Sequence, residues 1–234
     1  MKLAYRRMGA LAAFAAAAAL LCACHSRKGH PGELAVAAAE DEVYAAVVHF
    51  LTMRASGQSE LKQLVFADTV LTAREPGDGV ESCRERTRKD LRLEIDPPVY
   101  NSIADKAYRW SMGNQDYAAL SPETIQNFLE RSCTPGLLSE SFRTDLPRTF
   151  IPEEKVHFAG EPNQKDESQS IERLFPGAGG VISFSHAGFD STLSEAIVTS
   201  DFVCGMLCGS GHRYILRKRS GRWKVVNALL LWVS

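Results

Sequence analysis

Two thiols and an imidazole recur at four-residue intervals near the end of the chain, as Cys204, Cys208 and His212. Thiolate and imidazole suit copper or zinc, so this spacing could hold a metal. The same two cysteines, set among Gly205, Gly209 and Gly211, could instead close a disulfide in a tight turn, because glycine permits backbone angles that other residues resist. A redox-active dithiol is the third possibility, and three intervening residues rather than two weigh against a thioredoxin-like motif. Cys83 and Cys133 lie upstream. Ser183, Ser185 and His186 carry nucleophile and base but are too local to form a triad; a strand serine and a surface histidine are the plainer reading. Neither H-E-x-x-H, G-x-S-x-G nor a Walker-type glycine loop occurs. Asp190 and Asp201 flank a candidate strand and are expected to be solvated. His49, inside the first helix, is expected to be a boundary residue rather than a ligand, and Arg217, Lys218, Arg219 and Arg222 are expected to form a charged strand edge that resists aggregation.

The elements that must position these groups follow from periodicity. From Ala39 the apolar residues Val43, Tyr44, Val47, Val48, Phe50 and Leu51 make a helical stripe, with Glu40, Asp41 and Glu42 placed in its first turn. Residues 64–71 predict a strand, residues 85–90 a charged helical face or loop, and residues 99–112 a weaker helix. Ser121-Pro122-Glu123 announces a helix to about Arg131, with a capping serine, proline at the first position and an acid in the first turn; it should bury Ile125, Phe128 and Leu129. Residues 160–170 predict an exposed loop. Strands follow at 181–187 and 193–202. A hairpin of 213–219 with 222–233 turns at Ser220-Gly221. Trp223 and Trp232 are nine residues apart, so a regular strand puts them on opposite faces, one in the core and one on a helix or the surface. Helices first and strands last give an α+β domain, its N-terminal helices packed on a C-terminal antiparallel sheet of about four to five strands.

The N-terminus gives an address. Lys2, Arg6 and Arg7 precede the apolar run 10–21, ALAAFAAAAALL. Such a run suits an export signal and falls short of the roughly 20 residues that cross a bilayer. Leu21-Cys22-Ala23-Cys24 resembles the lipobox of bacterial lipoproteins, with Cys22 as the one departure. The resemblance implies a signal peptide 1–23, lipidation of Cys24, a tether 24–38 and one domain 39–234. His25 after the cysteine favours the outer membrane, facing the periplasm. Two or three acyl chains suffice for stable anchoring to the membrane. Removing residues 1–23 takes three of the 27 basic residues and none of the 28 acids, leaving a formal charge of −4. That balance gives no footprint for nucleic acid. Four cysteines remain in an oxidising compartment, with three possible pairings; Cys204–Cys208 and Cys83–Cys133 are the expected ones.

The stretch GFDSTLSEAIVTSDF followed by CGMLCGSGHRYILRKRSGRWKVVNALLLWVS resembles a family of uncharacterised bacterial proteins, often lipoproteins. These share a glycine-phenylalanine step, a C-G-x-L-C-G loop and a hairpin ending in tryptophan and serine. FPGAGG, LSPETIQNFLERS, VYAAV and LVFADTVLT extend the resemblance over most of residues 40–234. It carries no activity. Cys204, Cys208 and His212 also match part of the binuclear copper loop of cytochrome oxidase subunit II. Ile215 stands where that loop has methionine and Met206 where it has an acid, and an upstream ligand would have to come from His157 or His186. The reading reached is a non-enzymatic envelope lipoprotein without a cofactor, binding a protein or another envelope component; the alternative is a copper, zinc or redox protein using Cys204, Cys208 and His212.

Overall fold

A computed structural model describes residues 31–55, 61–72, 79–95, 120–152, 155, 171–205 and 208–234. The expected helix at 99–112, the loop at 160–170, His157 and Cys24 lie outside these residues. The described residues from 38 onward form one compact unit, and residues 31–37 belong to a separate one. Among the described residues no helix is long and apolar enough to cross a membrane.

The fold is α+β. Among the described residues four helices run Pro31–Ala55 (α1), Val80–Ile95 (α2), Pro122–Arg131 (α3) and the single turn Ile171–Leu174 (α4). The strands among these residues are seven: Leu64–Ala67 (β1), Arg148–Ile151 (β2), Val181–Phe184 (β3), Gly188–Phe189 (β4), Glu195–Gly205 (β5), Cys208–Arg219 (β6) and Arg222–Val233 (β7). They form one sheet in the order β2-β1-β3-β5-β6-β7, with β4 also paired to β5. Pairs from β3 onward are antiparallel, as the sequence leads one to expect. The sheet is larger than expected, because β1 joins β2 and β3 in parallel and makes it mixed. All four residues of β1 are buried, and a short strand covered on both faces shows no alternation by which its pairing could be read.

Helix α1 begins at Pro31, eight residues before Ala39, where the pattern leads one to expect its start. Pro31 lacks an N–H that the first turn would leave unpaired anyway, and the alanine-rich run after it is strongly helix-forming. Glu40, Asp41 and Glu42 therefore stand well inside the helix, and Glu33 is the acid of its first turn. Helix α3 starts as expected, Ser121 Oγ accepting the Thr124 N–H at 3.1 Å. It buries Phe128, Leu129 and Thr124, with Ile125 only partly covered.

The sheet is packed on both faces. Phe128 and Leu129 of α3 and Leu91 of α2 meet Ile197 and Ile215. On the opposite face Tyr44 of α1 stacks on Phe184 at 4.8 Å, and Phe66, Phe142 and Phe150 extend the aromatic layer. Gly188 lets α3 press onto β4, since a Cβ there would strike the backbone of Phe128. The β6–β7 hairpin turns through Ser220 and Gly221, both at positive φ (51° and 75°), the signature of a type I′ turn.

Candidate functional site

Cys204 is the penultimate residue of β5 and Cys208 begins β6; the two are joined as a disulfide with Cα atoms 5.1 Å apart. Cys83 of α2 and Cys133, two residues past α3, form the second disulfide, with Cα atoms 6.0 Å apart and both residues fully buried. Joined to each other, Cys204 and Cys208 present no thiolate, so a copper or zinc ion would need the reduced pair. His212 lies opposite Ser200 and Leu230, its ring 5.9 Å from that of Tyr214.

His186 is not a surface residue. Its Nδ1 lies 3.2 Å from Oε1 of Glu40, which also accepts from Arg131 Nη2 and the Ala187 N–H, each at 2.7 Å. Burial works against the Glu40 charge, but His186 and Arg131 outweigh it and hold the carboxyl below its ordinary pKa. Tyr44, one turn along α1, donates to the Ser185 carbonyl at 3.0 Å, and burial beside Glu40 pushes its phenol well up. Ser185 Oγ donates to the carbonyl of His186 and accepts the Thr199 N–H. Ser183 is buried on β3 opposite Asp201. These groups therefore bind the backbone and one another, and no hydrolytic geometry brings Ser183 or Ser185 to His186.

A second buried carboxylate, Glu195, receives the Ser121 N–H at 2.7 Å and the Thr124 hydroxyl at 3.0 Å on one oxygen. Its other oxygen takes Nε and Nη2 of Arg217 at 3.3 and 3.2 Å. Lys218 pairs with Glu42 of α1 at 3.1 Å and covers the Trp223 ring at 5.3 Å. Arg217 and Lys218 thus fasten opposite faces of the sheet rather than forming the expected charged edge. A surface cavity of about 350 Å³ sits here, lined by Ser121, Asp190, Ser194, Glu195, Arg217, Lys218 and Arg219. Asp190 organises the turn at its rim: one oxygen accepts the Ser194 and Glu195 N–H groups at 2.7 and 2.8 Å, the other the Thr192 and Ser194 hydroxyls. Slight burial opposes its charge, but these hydrogen bonds prevail and hold it at about 2. His49 is exposed on α1 and lies 3.5 Å from Asp145, out beyond the core boundary expected for it.

Trp223 and Trp232 lie on opposite faces, as their parity leads one to expect. Trp223 is a core residue at 7% exposure, facing Phe189; Trp232 is 38% exposed. The indole N–H of Trp232 donates to Asp201 Oδ1 at 3.2 Å, across Gly211 of the intervening strand. Asp201 is not a solvated strand-end acid. Burial pushes its carboxyl up to about 6 even though the Trp232 hydrogen bond favours the charged form.

The sequence gives Glu40, Glu195 and Arg131 no role at a site, and it presents Asp201 and Trp232 separately without pairing them. For Glu195 the capped start of α3 was the nearest signal, since Ser121 and Thr124 both need an acceptor. No family model, curated protein or solved structure matches the chain.

Proposed function

We propose that the chain is an exported module, anchored by lipid on Cys24 to the outer membrane, which binds an envelope component from the periplasmic side. The observation that supports this most is the cysteine pattern. The four cysteines after the proposed anchor stand as two intramolecular pairs, Cys83–Cys133 and Cys204–Cys208, a state suited to an oxidising compartment. Cys24 is then the thiol set apart for lipid. Binding fits the chemistry of the domain better than catalysis, because both buried carboxylates already receive donors from the fold that fasten α3. A general base would instead be positioned toward a substrate proton.

The test is metabolic labelling with palmitate in a bacterial host. Label on the full chain, lost together with membrane retention in Cys24→Ser, is the expected outcome. Label that persists in Cys24→Ser, or a chain that is never labelled, overturns the anchor. Mass spectrometry of the same protein should locate both disulfides. Stoichiometric copper or zinc bound by reduced Cys204 and Cys208 with His212 would move the reading to a metal protein.

A further inference from the structure

The exposed end of the hairpin carries an aromatic surface built by glycine. Trp232 lies lengthwise over β6: a Cβ on Gly211 would overlap its indole nitrogen and Cδ1, and one on Gly209 would come within 3.0 Å of Cζ3 and 3.1 Å of Cη2. The pyrrole and benzene ends of the ring therefore rest over two glycines two residues apart, on one face of the strand. Covering such glycines accounts for one face of the indole. It does not account for Trp232 remaining 38% exposed beside a half-buried carboxylate. Asp201 Oδ1 takes the indole N–H, and Oδ2 takes no hydrogen bond among the described residues. The same Gly211 Cβ would stand 2.7 Å from Asp201 Oδ1, so glycine is what lets carboxylate and ring meet across the strand. Ser234, whose N–H donates to the Gly209 carbonyl at 3.0 Å, brings its hydroxyl to the far end of the ring, 3.1 Å from the Gly209 Cβ position.

We infer that Trp232, Asp201 and Ser234 form a saccharide-binding platform for a gluco-configured, β-linked pyranose chain. A pyranose with all its hydroxyls equatorial has faces of C–H groups only, the shape and polarity that stack on an indole. Its hydroxyls project in the plane of the ring, where a carboxylate oxygen accepts and a serine hydroxyl donates or accepts. The exposure of Trp232 at the end of the hairpin leaves an indole surface on which one unit of such a chain can stack. This inference rests on the envelope-module reading for where such a glycan is met, but the binding itself needs no anchor, so either can fail without the other.

The test uses the full chain in detergent, titrated with chitotetraose and cellotetraose by calorimetry, with α-mannotetraose as the control whose axial hydroxyl interrupts the C–H face. A parallel titration follows the indole N–H resonances of the three tryptophans. Binding of at least one of the two gluco-configured probes, weaker binding of the mannan fragment, and a shift confined to the Trp232 resonance are expected. Trp232→Ala should weaken binding by about tenfold, and Trp232→Phe, which keeps a ring for packing, by about threefold. Asp201→Asn should weaken it by about threefold through loss of the charged acceptor. Failure of both probes to bind, shifts that map to another tryptophan, or unchanged affinity in a folded Trp232→Phe and Asp201→Asn pair would each overturn the inference. Loss of palmitate label without loss of saccharide binding would overturn only the anchor.

Discussion

Helix α3 and the Trp232 end of the hairpin sit on the same face of one sheet and treat their polar groups in opposite ways. Around α3, Glu40 draws Arg131 at the C-terminal end, and Glu195 draws Ser121 and Thr124 at the N-terminal end. Asn127 takes the Phe189 N–H between them, and Cys133 is tied to α2. At the Trp232 end, one indole N–H meets one carboxylate oxygen over a glycine floor, closed by a disulfide that spans only its own loop. A carboxylate ringed by donors acts as a clasp, and the one at Glu40 is held below its ordinary pKa by His186 and Arg131. One beside an aromatic ring with a single donor is held toward neutrality and remains open to a further partner. Stability and recognition are thereby placed at different ends of the same strands.

Perturbing the α3 end should therefore have the larger effect on folding. Replacing Cys83 and Cys133 together by alanine frees a 50-residue separation and is expected to lower unfolding free energy by about 4 kcal/mol, measured by chemical denaturation. Glu40→Ala leaves Arg131 beside His186 without their shared acceptor and should cost about 3 kcal/mol. A loss under 1 kcal/mol would break the contrast. The paired Cys204 and Cys208 alanine variant opens a loop four residues apart and should cost about 2 kcal/mol, with the core aromatic signals unchanged.

The smallest effect has the most distinctive sign. Asp201 is raised from 3.8 to about 6 in the folded chain, so its favourable contribution is fully present below about pH 4 and is lost as pH rises through about 6. Asp201→Asn should remove that decline and be about 1 kcal/mol more stable than the native chain at pH 7, the nominal effect being reduced by water access. Glu40 has the opposite sign: its carboxyl is lowered from 4.5, so its contribution is present above that value and fades as pH falls below it. Denaturation series across pH 3–8 on the native chain and both variants would separate the two.

Much of the fold was legible because it is local. The cap at Ser121, the turn at Ser220-Gly221 and the stripe Val43, Tyr44, Val47 and Val48 each lie within a few residues. The parallel strands β1 and β2 were not legible, since Leu64–Ala67 pairs with residues some 84 and 116 positions away and is buried throughout. Glu40 was misplaced for a related reason. An acid cluster is the usual mark of a helix start, whereas here Pro31 opens the helix and Glu40 faces Arg131, 91 residues on. The candidate surface was half legible: both tryptophans were assigned to their correct faces, but a single sequence cannot say that Asp201 lies across the strand from one of them.

Strand β7 carries two unpaired residues relative to β6. Val225 and Asn227 face consecutive residues Leu216 and Ile215, and Leu230 and Trp232 face His212 and Gly211. Val226 and Leu231 are thus surplus to the ladder. Because β6 counts seven steps between the partners of Trp223 and Trp232, it is β6 that assigns their faces, whatever the length of β7. Length variation in this hairpin should then be unequal along the strand. Loss of Val226 or Leu231 heals a bulge and leaves every facing pair in place, whereas loss of Ala228 or Leu229 turns the intervening side chains over. The hairpin has two positions where a codon can be deleted without rewriting either face of the sheet.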